Sequence, residues 1–230
     1  MQYQGQSTLS LEREYETRRR LYNYENLSRH KVAVVGLGAP GLGLTIAIAQ
    51  KGYDVIGFDF DPAIVSYLQD ELAFHVPSDA PTLNHTSPTL SSAFKDLRSA
   101  DTFFLSLSIP TTADGKEDLL PMLEQLRVVA AALRHGSLLL LESPLGPGIS
   151  EDIIIPVLEY ESDLMVERDF FYVHCPLRST HNQVHHQLPR VIGGAGPLSL
   201  ERGINVYDAI CDAPLIPMAT LKETEAYCLT

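Results

Sequence analysis

Three glycines at fixed spacing, Gly36-x-Gly38-x-x-Gly41, directly follow a β-branched apolar run at residues 31–35 (KVAVV) and open an apolar stretch of helical character. That order of residue types builds a phosphate cradle. Gly36 permits a tight turn out of the strand, Gly38 lets the backbone approach a pyrophosphate, and Gly41 allows the next helix to pack closely. The first turn of that helix offers N–H groups to an anion. Leu37, Ala39, Pro40 and Leu42 complete the loop. Asp59 ends a second apolar run at residues 55–58, about 20 residues beyond the glycines, where a carboxylate accepts from the adenosine ribose hydroxyls and repels a 2'-phosphate. The pattern predicts a site for NAD in preference to NADP. A glycine triplet alone marks little more than a turn; strand, helix and acid at the required places give it chemical meaning. Asp61-Pro62 reads as the cap and first turn of the following helix.

Positioning such a site requires strands that alternate with helices. Further strands are predicted at residues 102–107, 137–141, 170–173 and 191–192 and near Leu215, with helices over 62–72, 118–133, 151–160 and 198–211. This alternation implies a single α/β domain of Rossmann type, with a doubly wound, mostly parallel sheet. Ligands of such sheets bind in the crevice at the strand carboxyl ends, which gathers the loops after Val35, Phe58, Leu107 and Leu141. Ser108, Pro110 and Thr111 in the third loop either line the nicotinamide side of the cofactor or serve as turn residues. Glu142 and Ser143 in the fourth either orient a ribose or a water, or cap and pin the loop. The Pro, Ser and Thr content of residues 75–90 marks a loop, in which His75 and His85 are ordinary loop histidines. Residues 1–30 read as an N-terminal extension, with a helix over 11–27, packed on or tethered to the NAD-binding domain at 31–217; residues 218–230 begin another helix.

With 230 residues the chain can bury one good α/β core. A formal charge of −12 argues against a nucleic-acid surface, and Arg18-Arg19-Arg20 reads as a solvated helix face. Cys175, Cys211 and Cys228 are too few and too scattered for a disulfide framework or a four-ligand zinc site, so they read as reduced thiols and no metal is expected. No stretch reaches the roughly 18 apolar residues of a membrane span, and the polar start lacks the apolar segment of a secretory signal. A cytoplasmic protein without nucleic-acid or membrane partners is the expectation.

Several segments in series, KVAVVGLGAPGLGL, GYDVIGFDFD, SADTFFLSLSIPTTADGKEDL, LLLLESPLGPG, FYVHCPLR and LPRVIGGAGPLSLERGINVY, resemble the first domain of the UDP-glucose/GDP-mannose dehydrogenases. Within these nucleotide-sugar 6-dehydrogenases the likeness is greatest to the UDP-N-acetylmannosamine branch, and it spans residues 31–230. The resemblance implies NAD-dependent oxidation of a sugar 6-hydroxyl through an aldehyde to a carboxylate, with a nucleotide-sugar substrate and a role in polysaccharide biosynthesis. It also implies a cysteine nucleophile, an oxyanion-stabilising lysine and asparagine, and a glutamate that activates water.

The chain departs from the family at those positions. The cysteine belongs to a Gly-Gly-x-Cys context in a later domain, whereas Gly193-Gly194-Ala195 carries none. The glutamate of the family's Cys-Pro-Glu-Arg motif is replaced in Cys175-Pro176-Leu177-Arg178, which leaves Arg178 as the substrate-binding residue the resemblance supplies. A Ser-Thr-x-Pro segment is replaced by Ser143-Pro144-Leu145, and KETEAYCLT resembles the start of the central helix without its lysine. His174, His181, His185 and His186 cluster where the glutamate was lost; a divergent base among them competes with the preferred reading of surface-loop histidines. The leading expectation is the cofactor half of an oxidoreductase, catalytically incomplete alone and completed in a homo-oligomer or by a full-length dehydrogenase. The second is a non-catalytic NAD-binding module that regulates such an enzyme. A third, a simpler hydroxyacid-type dehydrogenase, lacks its helical second domain.

Overall fold

The computed structural model describes residues 30–75, 87–112, 114–115, 117–177, 179–180, 183–184 and 189–227. The expectations for residues 1–29, the side chain of His75, and His85, Arg178, His181, His185, His186 and Cys228 lie outside the described residues.

β1 (Val32–Val35) is buried along its whole length and lies between two parallel neighbours, β2 (Val55–Phe58) and β4 (Thr102–Leu105). Its residues are apolar at every position because both faces of the sheet are covered. Val32 and Val34 face a core shared with α1 (Ala39–Gln50) and α6 (Pro197–Ile210), while Ala33 and Val35 face a core built with α4 (Leu120–Ala130) and α5 (Ile155–Ser162). The period-2 alternation of side chains thus divides one apolar run between two helical layers. The remaining strands are β3 (Thr89–Ser91), β5 (Leu138–Leu141), β6 (Phe171–His174), β9 (Arg190–Gly194) and β10 (Leu215–Pro217), and the sheet runs β10-β9-β6-β5-β4-β1-β2-β3. Strand order reverses between β1 and β4, so the crevice opens above that pair.

Most of the elements fall where the sequence places them, and the differences have local causes. β3 emerges from the end of a stretch read as loop; it has three residues, of which Leu90 packs with Leu37 and Val65, too few for a periodic signal. α2 (Pro62–His75) precedes it and the short α3 (Phe94–Leu97) follows. The strand expected over 102–107 ends at Leu105, because Leu107 is taken by a side chain instead of a neighbouring strand. The helix expected over 151–160 opens with a π-turn, Ser150–Ile154, ahead of Pro156, which has no N–H to continue the regular ladder. β9 runs antiparallel to β6 through Val173↔Gly194 and His174↔Gly193, the one antiparallel pairing in the eight-stranded sheet. β7 (Ser179–Thr180) and β8 (Gln183–Val184) form a separate two-residue ribbon, and α7 (Leu221–Tyr227) follows β10. Among the described residues no helix is long and apolar enough to cross a membrane.

Candidate functional site

Gly36 lies in the left-handed region, at φ +92°, and a Cβ there would overlap the Ser106 carbonyl oxygen. At Gly41 a Cβ would strike the Gly36 carbonyl, so turn and helix approach through bare backbone. Gly38 is different. The nearest atom to a Cβ at that position is Pro40 Cδ at 4.0 Å, leaving the loop open on the side where a ligand approaches. Among the described residues no side chain caps the start of α1 and its first turn holds no acidic residue, so its N–H groups and dipole are open to an anion without an internal competitor. Asp59 stands beside the loop: the Leu37 N–H donates to its Oδ2 at 2.8 Å and the Asp61 N–H to its Oδ1 at 3.0 Å.

The second glycine run, Gly193-Gly194-Ala195-Gly196, also leads from a strand into a helix. Its helix start is filled from within. The Glu167 carboxylate accepts from the Ser199 N–H at 2.8 Å and the Leu198 N–H at 3.2 Å, and a Cβ on Gly196 would lie 2.6 Å from it. These glycines serve close packing, and the phosphate cradle belongs to the first run.

Ser108, Pro110 and Thr111 are exposed at the lip of the crevice. The Asp118 N–H donates to the Pro110 carbonyl at 2.8 Å and Thr111 bridges Glu117, which brings residues 117–118 beside 110–111. Glu142 and Ser143 lie below, both buried. The Ser143 hydroxyl accepts from the Leu107 N–H at 2.9 Å and donates to the Leu107 carbonyl at 2.6 Å, satisfying both backbone groups of one residue. Glu142 Oε1 accepts from Arg190 at 2.8 Å and from the Tyr207 hydroxyl at 3.0 Å, and Arg190 also donates to the Cys175 carbonyl at 2.7 Å. Burial opposes the charge on Arg190, but Glu142, Tyr207 and Cys175 together outweigh it and hold its pKa well above the ordinary value. Burial, with Cys175 and Glu142 nearby, likewise raises Tyr207. The Cys175 thiol is pushed up to about 12, chiefly by burial, which keeps it protonated and unreactive. Glu142 and Arg190 line a narrow cleft between α1 and α6, together with Pro40, Leu44, Ile210 and Leu177. The Leu177 N–H donates to the Glu142 carbonyl at 2.9 Å.

His174 is a correction to the surface-loop reading: it ends β6 and has no exposed surface. Its Nε2 lies 3.0 Å from the Ser143 carbonyl, so that nitrogen carries the proton, and Nδ1 has no partner. Burial pushes its pKa below the ordinary value, with the Ser143 carbonyl and then Glu225 acting in the opposite direction. Glu225 on α7 is fully buried as well. Its carboxylate accepts from the Gly148 and Ser150 N–H groups, and the Ser150 hydroxyl meets the Tyr172 hydroxyl at 2.9 Å. Arg190 and Glu225 had no signal in the sequence: the carboxylate that binds Arg190 lies 48 residues away, and the N–H groups on Glu225 lie at least 75 away. Among the described residues no group of three His, Cys, Asp or Glu is placed to hold a metal ion.

The model of the UDP-glucose/GDP-mannose dehydrogenase family, NAD binding domain, matches residues 30–211. The chain belongs to this family. Its cofactor is NAD. Similar curated proteins include the Staphylococcus aureus protein CapL, 30% identical over 85% of this chain and 46% of its own length, and a Pyrococcus horikoshii UDP-N-acetyl-D-mannosamine dehydrogenase, 27% identical over 77% and 44%. The Pseudomonas aeruginosa UDP-N-acetyl-D-glucosamine 6-dehydrogenase is 30% identical over 85% and 47%. Among solved structures, the P. horikoshii UDP-D-ManNAc dehydrogenase superposes with a TM-score of 0.75 at 23% identity, covering 86% of this chain and 49% of that one, which supports the fold. The chain spans about half the length of the relatives it matches.

Two outcomes follow from this geometry. Gly41→Ala forces a methyl group onto the Gly36 carbonyl and should cost about 1 to 3 kcal/mol in urea unfolding. Gly43→Ala, in the same helix with nothing within 4 Å of the new Cβ, should instead be neutral or stabilising by up to about 1 kcal/mol. The second outcome concerns pH. The unfolded chain protonates its histidines near 6.5, a proton that buried His174 refuses, so stability falls as pH drops below that value. Urea midpoints from pH 7.5 to 5 should fall less steeply for His174→Gln.

Proposed function

We propose that this chain binds NAD across the crevice and supplies the cofactor half of a nucleotide-sugar 6-dehydrogenase. The observation that carries the reading is the open face of Gly38 beside Asp59 at an uncapped helix start. In this reading the backbone of Gly36, Leu37, Gly38, Ala39, Pro40, Gly41 and Leu42 surrounds the pyrophosphate, and Asp59 accepts from the adenosine ribose. Ser108, Pro110 and Thr111 border the nicotinamide side, with Glu142 and Ser143 holding that side from beneath. NAD when bound accepts a hydride; the chain's own groups orient it and keep one ribose face against Asp59. UDP-N-acetylhexosamines are the substrate class favoured by the names of the relatives, with Arg178 as the substrate contact from this chain, and cytoplasmic polysaccharide precursor synthesis is the setting.

Leu177 limits what the chain does unaided. It occupies the position of the family's water-activating glutamate, and a leucine accepts no proton. The four-electron oxidation therefore needs groups from a second copy or from a full-length dehydrogenase. Leu177 equally favours a second reading, a non-catalytic NAD-binding module that regulates or complements such an enzyme. Turnover separates the two: NAD reduction with UDP- and GDP-sugars, with and without a full-length homologous dehydrogenase, should yield no uronate from this chain alone. A uronate formed with two NADH per sugar by the purified chain would refute the incomplete-enzyme reading. A rise in sugar oxidation on mixing, beyond that of the homologue, would favour a completing role.

The cofactor assignment has its own test. Titration calorimetry should give tighter binding of NADH than of NADPH, because the 2'-phosphate would meet Asp59 with like charge. Asp59→Ala should weaken NAD by about 1 to 3 kcal/mol, the worth of a charged hydrogen-bond partner, and narrow the gap between the two cofactors. Equal or tighter binding of NADPH by the unmutated chain would overturn this assignment.

A further inference from the structure

We propose that His174 is a positioning residue for the nicotinamide half of the cofactor site, acting through Ser143 on the loop that leaves β4. The inference rests on the NAD reading above. Residues 106–111 border that half of the crevice, and their first two members are held in different ways. The Ser106 N–H still donates to the Val35 carbonyl at 2.9 Å, so Ser106 belongs to the sheet and stays against the glycine loop whatever happens beyond it. Leu107 has left the sheet. Both its backbone N–H and its carbonyl are bound by the Ser143 hydroxyl, at 2.9 and 2.6 Å.

Ser143 in turn is fixed from the far side. The His174 imidazole, at the end of β6, donates from Nε2 to the Ser143 carbonyl at 3.0 Å. The ring has no exposed surface, so it cannot touch a ligand, and Nδ1 has no hydrogen-bond partner. An imidazole that leaves one buried nitrogen unsatisfied carries a desolvation cost, and among the described residues its one polar contact is the bond to Ser143. The ends of β6, β5 and β4 are thereby linked through two side chains, and the last link sets where residues 108–111 begin. Release of the chain at His174 would free Leu107 and the lip residues after it. The glycine loop and Asp59, which bind the adenosine and pyrophosphate half, are held by separate bonds from Phe58 and Leu37.

The test compares NAD with ADP-ribose, which carries the adenosine and both phosphates but no nicotinamide. Titration calorimetry on the full chain would measure both ligands with the unmutated protein, His174→Leu, His174→Gln and Ser143→Ala. The unmutated chain should bind NAD more tightly than ADP-ribose. His174→Leu should weaken NAD by about fivefold, the worth of one hydrogen bond, and leave ADP-ribose within about twofold. His174→Gln, whose amide nitrogen reaches the place of Nε2, should recover most of the loss. Ser143→Ala should reproduce the selective loss, and the double variant should add little to it. If His174→Leu does not fold, Ser143→Ala decides with the same two ligands. Equal weakening of both ligands, unchanged NAD binding, or a nicotinamide that adds no affinity in the unmutated chain would each overturn the positioning role while leaving the NAD reading intact. Failure of the unmutated chain to bind ADP-ribose and NAD would overturn both.

Discussion

The close approach of bare backbone at Gly36, Gly41 and Ser106 is the constraint on which the rest of the site depends. The chain leaves β1, turns under the Ser106 carbonyl, and starts α1 against the carbonyl of its own turn, with no room for a Cβ at either glycine. One contact therefore sets three relations at once. It aims the start of α1 into the crevice, brings the Leu37 N–H to Asp59 at the end of β2, and holds the exit of β4 beside both. A methyl group inserted there would move all three, because packed backbone has no rotamer with which to yield.

The same physics is used differently at two other helix starts of the chain, that of α6 lying at the opposite edge of the sheet because β9 runs antiparallel to β6. The start of α6 is filled by Glu167, and the turn at residues 148–150 is filled by Glu225, each a carboxylate of the chain itself on two backbone N–H groups. Of these three starts, that of α1 is the one at which, among the described residues, no carboxylate of the chain accepts from the N–H groups. An arriving phosphate there displaces no internal carboxylate, whereas at the other two it would compete with a group already in place and already of the same charge. The sites that an anion cannot take are thus as informative as the one it can.

The central strands were legible because their determinants are local. Residues 32–35, 55–58 and 138–141 are continuous apolar runs separated by turn residues and amphipathic stretches, and the glycine spacing carries its own geometry. What the sequence hid depends on partners far along the chain. β3 has three residues and is specified by Leu90 reaching Leu37 and Val65, not by a pattern of its own. The orientation of β9 reflects the pairing of Gly193 and Gly194 with the end of β6. Glu142 read as either a ligand contact or a structural group because Arg190 and Tyr207, which bind its Oε1, lie 48 and 65 residues away. His174 read as a loop residue because polar neighbours in sequence, from Ser179 onward, masked its place at the end of a buried strand.

In the proposed function, cofactor binding and later chemistry are separable at Leu177. Its backbone N–H still donates to the Glu142 carbonyl, so the path of the chain after β6 depends on main-chain bonding and on the buried Glu142–Arg190–Tyr207 group, not on the side chain at position 177. Taking two charges out of water is costly, and the pair is kept only where further hydrogen bonds satisfy it. Here Cys175 and Tyr207 supply two such bonds, and among the described residues Arg190 Nε is left without one. A carboxylate at position 177 would add a third ionised group to a cleft whose one buried cation is already matched, and leucine removes that demand. In the proposed reading, leucine at position 177 thus provides no proton acceptor and leaves the bonds that shape the loop undisturbed, while the glycine cradle and Asp59, on the opposite side of the strand-order reversal, depend on none of them.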